Sequence, residues 1–276
     1  MLYFDDNKNV EKTMVSSPLA YQKGEEVFEY VTQVGKAFKL SQLQEEIILT
    51  LNTMILATAE MISKYINMTQ SYVDIESIAW EVEVLSKDLY LNKYDFVDEN
   101  GNHSKDKLYA VGFRGKGWLN TQSKRPYMTG FLAQKNVLSF KKILATNKLL
   151  LELELYKDYE CNMCKMIYDT EEISNFAFRA HCLVNRKENP LIIEVIRGEN
   201  NYADKAVTKL KRISNTLANS DSSELHNVEV LYIAENEEQM LALLRAINDN
   251  CKEDIQLWFT HDELIVEKHD HRLYKL

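Results

Sequence analysis

Hydrophobic side chains recur at helical spacing through much of the N-terminal half of the chain. Over residues 24–38 the apolar positions predict a first helix. Ser41 precedes an amphipathic run with acids in its first turn, which predicts an N-cap and a second helix. A short helix over residues 59–66, a turn at 67–71 and a longer helix from 74 to about 90 follow. Short helix, turn and longer helix in this order predict a helix-turn-helix unit.

The pattern changes to strand and turn chemistry after the longer helix. Residues 90–97 predict a strand, residues 98–103 contain an Asn-Gly turn, and residues 107–111 predict the return strand. A hairpin in this position is a wing, so residues 36–125 predict a winged helix-turn-helix domain. Residues 1–35 predict an N-terminal arm, loose at its start, that leads into the first helix.

The second half of the chain alternates strands and helices. Residues 126–156 predict a connecting segment that begins as a helix and finishes as a strand at 149–155. Further strands are predicted at 176–184, 190–196, 228–234 and 255–259, with helices at 203–218 and 237–248. Residues 157–276 therefore predict an α/β domain, and the expected fold class of the whole chain is α+β or α/β.

Composition agrees with two ordinary domains. The chain has 276 residues, of which 45% are hydrophobic and 27% are charged. Its start lacks the basic and apolar regions of a signal peptide, and no apolar run approaches a membrane span. These features predict a cytoplasmic protein with no cofactor, in which the four cysteines are reduced thiols.

Charge is distributed unevenly along the sequence. The formal net charge is −9, yet residues 105–148 hold ten basic residues and one acidic residue, Asp106. Binding to phosphates depends on local clustering of this kind rather than on net charge. The alternative is a solvated basic face that has no partner.

The longer helix predicted from residue 74 is unsuited to lie along DNA, because it carries Asp74, Glu76, Glu81 and Glu83. We therefore expect contacts with double-stranded DNA from the approach to that helix, from the wing and from the segment after it. The expected DNA-binding residues are Thr69, Gln70, Ser71, Tyr72, Lys105, Lys107, Arg114, Lys116, Lys124 and Arg125. The alternative is a winged helix that makes only protein contacts.

Three short segments resemble a known family. They are Leu-Tyr-Ala-Val-Gly-Phe-Arg-Gly at 108–115, Ile-Ile-Glu-Val-Ile-Arg-Gly-Glu at 192–199 and Leu-Trp-Phe-Thr at 257–260. With the order of the two halves, they resemble the replication-relaxation family of plasmid and mobile-element proteins, which includes MobC-like mobilisation accessories. The resemblance implies a winged helix followed by a domain like the PD-(D/E)XK nuclease fold.

The nuclease motif itself is incomplete in this sequence. Glu194 stands where the strand carboxylate is expected, but Ile196 replaces the lysine of the motif. Arg179 and His181 stand where the first aspartate is expected. One carboxylate holds a divalent metal poorly, so we expect no catalytic residue and no metal. The expected role of Glu194 is an ion pair with a neighbouring base such as Arg197.

A second candidate site is the pair Cys161 and Cys164. A single Cys-x-x-Cys is half of a zinc site, which His181 and Cys182 would complete. The spacing is not one of the specific zinc patterns, and the expectation is free thiols.

These observations predict a non-enzymatic DNA-binding protein of a plasmid, phage or integrative element. It would act in replication control, conjugative mobilisation or transcription, as a homodimer, because such modules commonly read paired half-sites. The first alternative is a protein-interaction or assembly factor whose winged helix does not bind DNA. The second alternative is a metal-dependent nuclease.

Overall fold

The computed structural model describes residues 12–14, 40–70, 72–96, 106–124, 137–167, 178–186, 189–198, 200–219, 227–251, 255–266 and 272–276. The chain is mixed α+β and divides into two compact units, Met1–Val137 and Leu138–Leu276. No helix in these ranges is long and apolar enough to cross a membrane. The helix predicted at 24–38 and the Asn-Gly turn predicted at 98–103 lie outside the described residues.

Residues 41–87 form three helices with polar N-caps. They are α1 (Gln42–Met54), α2 (Ala59–Thr69) and α3 (Ile75–Lys87), and their N-caps are Ser41, Thr58 and Asp74. Each cap side chain accepts a hydrogen bond from a backbone N–H of the first turn, which would otherwise lack a partner. The predicted cap at Ser41 is confirmed, and it forms a full capping box with Gln44.

The turn between α2 and α3 is fixed by one side chain. The Asn67 amide accepts from Val73 N at 2.6 Å and donates to Val73 O at 3.0 Å, so it replaces a backbone partner on both sides. The three helices meet in an apolar core of Ile47, Ile48, Leu51, Ile62, Ile66, Ile78, Val82 and Leu85. Asn67 therefore holds the backbone just before α3 against the C-terminal end of α2.

A hairpin follows α3 as predicted. Strands β2 (Leu91–Phe96) and β3 (Leu108–Val111) are antiparallel, and a third strand, β1 (Lys12–Met14), pairs with the other side of β2. The arm had been predicted to be loose there, so β1 is a correction; its three residues are too short to give a periodic signal. Ala57, between α1 and α2, bridges to Tyr109 of β3.

Helix α4 (Phe113–Thr121) packs closely against the start of the hairpin. A Cβ on Gly115 would meet the Tyr90 carbonyl oxygen, so only glycine permits this approach. Arg114 is buried, donates to Asp88 O at 3.1 Å and lies over the Tyr90 ring at 4.6 Å. The Arg-Gly pair therefore holds α4 in place.

The second unit begins with α5 (Val137–Glu152) and the short α6 (Leu155–Asp158). The strand predicted at 149–155 is wrong, because the helix continues to Glu152 and a left-handed residue, Glu154, separates it from α6. A short leucine-rich run fits a buried helix as well as a strand, and here the helix is formed.

A mixed sheet forms the centre of the second unit. Among the described residues its strands, in spatial order, are β11 (Tyr274–Lys275), β10 (Gln256–His261), β9 (Glu229–Ala234), β8 (Leu191–Val195), β7 (Cys182–Asn185) and β4 (Glu160–Met163). Strands β8, β9 and β10 are parallel, and the others pair antiparallel to their neighbours. The strand predicted at 176–184 is divided between β7 and β6 (Phe178–Arg179), which pairs with β5 (Met166–Ile167).

Helices α7 (Tyr202–Asn219) and α8 (Glu237–Asn250) cover one face of this sheet. Their buried residues pack with the side chains of β8, β9 and β10 in a core that includes Leu210, Ile213, Met240, Leu243, Ile192, Val230 and Phe259. Helix α9 (Asp262–Val266) follows β10 directly. Helix and strand alternate after β8 as the sequence predicted.

Two glycines of α4 give a matched test of this packing. Gly115→Ala should cost about 2 kcal/mol or more of unfolding free energy, because the new methyl group meets backbone that cannot yield. Gly117→Ala should be neutral or stabilise by up to about 1 kcal/mol, because nothing lies near that position and alanine favours helix. Urea unfolding of both variants measures the difference. Equal effects would contradict the close contact between α4 and Tyr90.

Candidate functional site

The approach to α3 is exposed, but its polar side chains already have partners. Thr69 Oγ1 donates to Tyr65 O at 2.9 Å. With its nitrogen facing the carboxylate, the Gln70 amide donates to Glu46 at 2.7 Å. Tyr72 is 85% exposed, and Ser71 lies outside the described residues. Tyr72 therefore presents a large open surface at the approach to α3.

The exposed surface of α3 is apolar and acidic. Ile75 is 47% exposed and Trp80 is 70% exposed, and both follow Tyr72 along the chain. The acids of this helix are partly engaged, since Glu81 accepts from Gln44 at 2.8 Å and Glu83 pairs with Lys93 at 2.6 Å. This surface would not favour a phosphate backbone along its length.

The predicted basic residues of the hairpin and α4 separate into internal and exposed groups. Lys107 pairs with Asp95 at 2.6 Å, and Arg114 is buried against Asp88 and Tyr90. Lys116 is half-buried, and burial lowers the pKa of its ammonium. Lys124 is exposed, whereas Lys105 and Arg125 lie outside the described residues. Lys116 and Lys124 are therefore the described basic residues open to a ligand in this segment.

The second unit contains a buried ion cluster around Glu194. Its Oε2 atom lies 2.5 Å from Lys209 Nζ and 2.9 Å from His181 Nδ1. Glu194 is on β8, Lys209 on α7 and His181 just before β7, and Glu194 is only 2% exposed. Lys209 also donates to Arg179 O at 2.6 Å. One carboxylate thus joins two strands to the helix that covers them.

Protonation in this cluster follows from its geometry. His181 Nδ1 lies 3.0 Å from Val195 N and 2.9 Å from Glu194 Oε2. Burial lowers the pKa of His181, although Glu194 opposes this effect. Burial raises the pKa of Glu194, but the neighbouring His181 and Lys209 side chains outweigh this effect and hold that pKa below its usual value. Glu194 is therefore an ionised carboxylate.

Tyr232 adds an aromatic neighbour to the cluster. It stands opposite Glu194 in the β8–β9 register and stacks on Phe259 at 5.6 Å between ring centroids. Within the described ranges, Tyr232 OH and Glu194 Oε1 are buried and make no hydrogen bond. Burial and the nearby Glu194 charge raise the pKa of the phenol, so it stays protonated.

The partner expected for Glu194 was wrong. Arg197 instead donates to Asp262 Oδ1 at 2.5 Å and to Ile196 O at 2.6 Å. Lys209 was missed because it lies fifteen residues beyond Glu194. The sequence contained one indication of this contact: Lys209 lies at the boundary between the apolar and the polar face of an amphipathic helix.

Lys209 places an ammonium beside the strand carboxylate. In the nuclease motif this group comes from the position that Ile196 occupies here. In the part of the chain that the structure describes, no group of three or more His, Cys, Asp or Glu is arranged to hold a metal ion. Cys161 and Cys182 are buried and Cys164 is partly exposed, all three as free thiols. The described geometry thus supplies a charged anchor but not the second carboxylate that metal-dependent hydrolysis needs.

The anchor makes a prediction about stability and pH. Lys209→Met removes the main countercharge of a buried carboxylate, so we expect a loss of about 3 kcal/mol near neutral pH. The loss should shrink as the pH falls through the raised pKa of the unpaired, buried Glu194, because the protonated carboxyl needs no countercharge. In the wild type, the lowered pKa of Glu194 keeps its contribution until the pH falls below the usual value of 4.5.

Urea unfolding near neutral pH and in mild acid measures these losses. Lys205→Met is the control, because Lys205 is exposed on the same helix, and it should change stability by less than about 0.5 kcal/mol. Glu194→Gln combined with Lys209→Met should recover most of the loss. Equal effects of the two lysine variants would show that the pair is not an anchor.

Comparisons with protein-family models, with curated proteins and with solved structures find no match to this chain. The resemblance to the replication-relaxation family therefore stays a prediction from three sequence segments.

Proposed function

We propose that this chain is a non-enzymatic protein that binds double-stranded DNA through its first unit. The observation that carries the proposal is the order α1, Ala57 bridge, α2, α3 and β2–β3 hairpin. This is the order of a winged helix, in which the third helix approaches the major groove and the hairpin and nearby loops contact phosphates. The family resemblance supports a role in replication control, mobilisation or transcription of a mobile element.

The surface chemistry narrows where DNA would contact the unit. Lys107 and Arg114 stabilise the hairpin and α4, so they are removed from the proposed interface. Lys116 and Lys124 follow the hairpin and remain, and Tyr72 is the exposed residue at the start of α3. Lys105 and Arg125 stay in the proposal on their sequence positions alone. DNA would thus contact α4, the residues just after it and the N-terminal end of α3.

The proposal is tested with Lys116→Gln combined with Lys124→Gln in the full chain. Each lost phosphate contact should reduce the slope of log affinity against log salt by about 0.9, so the double variant should lose about 2. Fluorescence anisotropy with a labelled mixed-sequence duplex, at about 50 and about 200 mM salt, gives this slope.

The matched control is Lys157→Gln combined with Arg245→Gln, which removes two exposed cations from the second unit. It should bind the duplex as the wild type does. Unchanged affinity and slope in the Lys116 and Lys124 variant would overturn DNA binding through the first unit.

A second candidate function is protein interaction through α3, which the exposed Tyr72, Ile75 and Trp80 favour. Tyrosine and tryptophan are enriched in protein interfaces, whereas the acids of α3 disfavour DNA. A second copy of this chain is the partner to test, since DNA-binding modules of this kind commonly act as pairs.

Trp80→Ser should convert such a dimer into a monomer and leave the fold intact, because the indole is mostly outside the core. Sedimentation velocity of the wild type and the variant over a range of concentrations measures the change. A wild type that stays monomeric throughout would argue against self-association through α3.

For the second unit we propose a scaffold of the PD-(D/E)XK kind without its chemistry. The order α5, β4, β7, β8, α7 and β9 supports this proposal, with Glu194 on the strand where that fold places a carboxylate. Its ion pair with Lys209 then serves as an anchor. Nicking of duplex DNA with Mg²⁺ or Mn²⁺ that disappears in Glu194→Ala would favour a nuclease instead.

A further inference from the structure

Helix α7 presents one polar face to solvent. Ala206, Leu210 and Ile213 are buried in the core beneath it. The exposed residues cluster on an arc of about 120° at 100° per residue. They are Asp204, Lys205, Thr208, Lys211, Arg212 and Asn215. This α7 face therefore carries three cations, one carboxylate and no apolar side chain.

Among the residues that the structure describes, none neutralises the three cations of the α7 face. In the described ranges the side chains of Lys205, Lys211 and Arg212 make no ion pair or hydrogen bond, although the Arg212 carbonyl accepts from Thr216 Oγ1. Lys209 differs, because its ammonium is held by Glu194 and by Arg179 O. The pairing of Lys209 fixes the helix, and it leaves the other three positive charges available to an external anion.

The charge of the α7 face contrasts with that of the adjacent helix. Helix α8 packs beside α7 and exposes Glu237, Glu238 and Asp249 with one cation, Arg245. The whole chain carries a net charge of −9, so an unneutralised basic face is not a general property of its surface. A polyanion would be attracted to α7 and repelled by α8, which restricts binding to one helix.

The composition of the α7 face fits phosphates better than an acidic protein. Lysine is depleted in protein interfaces, and those interfaces usually contain an aromatic or aliphatic anchor, which this face lacks. Lysine, arginine, threonine and asparagine are the side chains that contact phosphate and sugar oxygens. Lys205 and Arg212 lie seven residues apart on one side, about 10 Å along the axis, which spans about three base pairs.

From these observations we infer that the α7 face is a second nucleic-acid contact, which binds the phosphate backbone of duplex DNA without reading its sequence. The identity of the ligand rests on the proposed function, but the contact belongs to the other unit and is separately testable. The first unit would supply the contacts at α3 and the hairpin, and α7 would add affinity that depends on salt.

The test is Lys205→Gln combined with Arg212→Gln in the full chain, with anisotropy of the labelled duplex. Two lost contacts should weaken binding at least tenfold at about 50 mM salt and reduce the salt slope by about 2. Lys157→Gln combined with Arg245→Gln is again the control, since it removes two exposed cations of the same unit, and it should change neither value. Circular dichroism confirms that the variants are folded.

Each outcome separates this inference from the proposed function. Loss of binding in the Lys116 and Lys124 variant alone would overturn the α7 contact and keep the proposed function. Loss in the α7 variant alone would keep the α7 contact and overturn the role of the first unit. Polyglutamate serves as a polyanion without phosphates. The inference would be overturned if the wild type bound polyglutamate but not the duplex, or if it bound neither of them.

Discussion

The second unit depends on how one buried negative charge is neutralised. Glu194 lies in the middle of an apolar strand, where an unpaired carboxylate would be costly. The Lys209 ammonium neutralises it and His181 lies against the same oxygen. Because these two residues come from different elements, they join α7 and the start of β7 to β8. The ion pair between Lys209 and Glu194 also fixes the rotation of α7 about its axis. It therefore determines which side chains of α7 face solvent.

The first unit follows a comparable logic with smaller groups. Asn67 fixes the turn before α3, and Arg114 with Gly115 fixes α4 against the hairpin. Arg114, which the sequence predicted as a DNA-binding residue, therefore stabilises the fold instead. The proposed DNA contact therefore rests on the exposed start of α3 and on the cations after the hairpin, of which Lys124 is the most open.

The sequence predicted elements better than partners. Helical periodicity, the cap at Ser41 and the alternation after residue 190 were sufficient because they are local signals. The strand predicted for the leucine-rich run at 149–155 was wrong, because such a run can be buried equally well in a helix or in a strand. Glu194 pairs with Lys209 rather than with the predicted Arg197, and Arg114 is buried. Both features depend on contacts between residues distant in sequence, which no local pattern contains.

The central claim is that both units present cations to DNA, and a lysine-protection experiment tests it most directly. The full chain is acetylated with and without duplex DNA, and modification of each lysine is measured by mass spectrometry. The account predicts that DNA protects Lys124, Lys205 and Lys211 and leaves the exposed Lys157 unchanged. Equal modification of all four lysines in the presence and absence of DNA would contradict it.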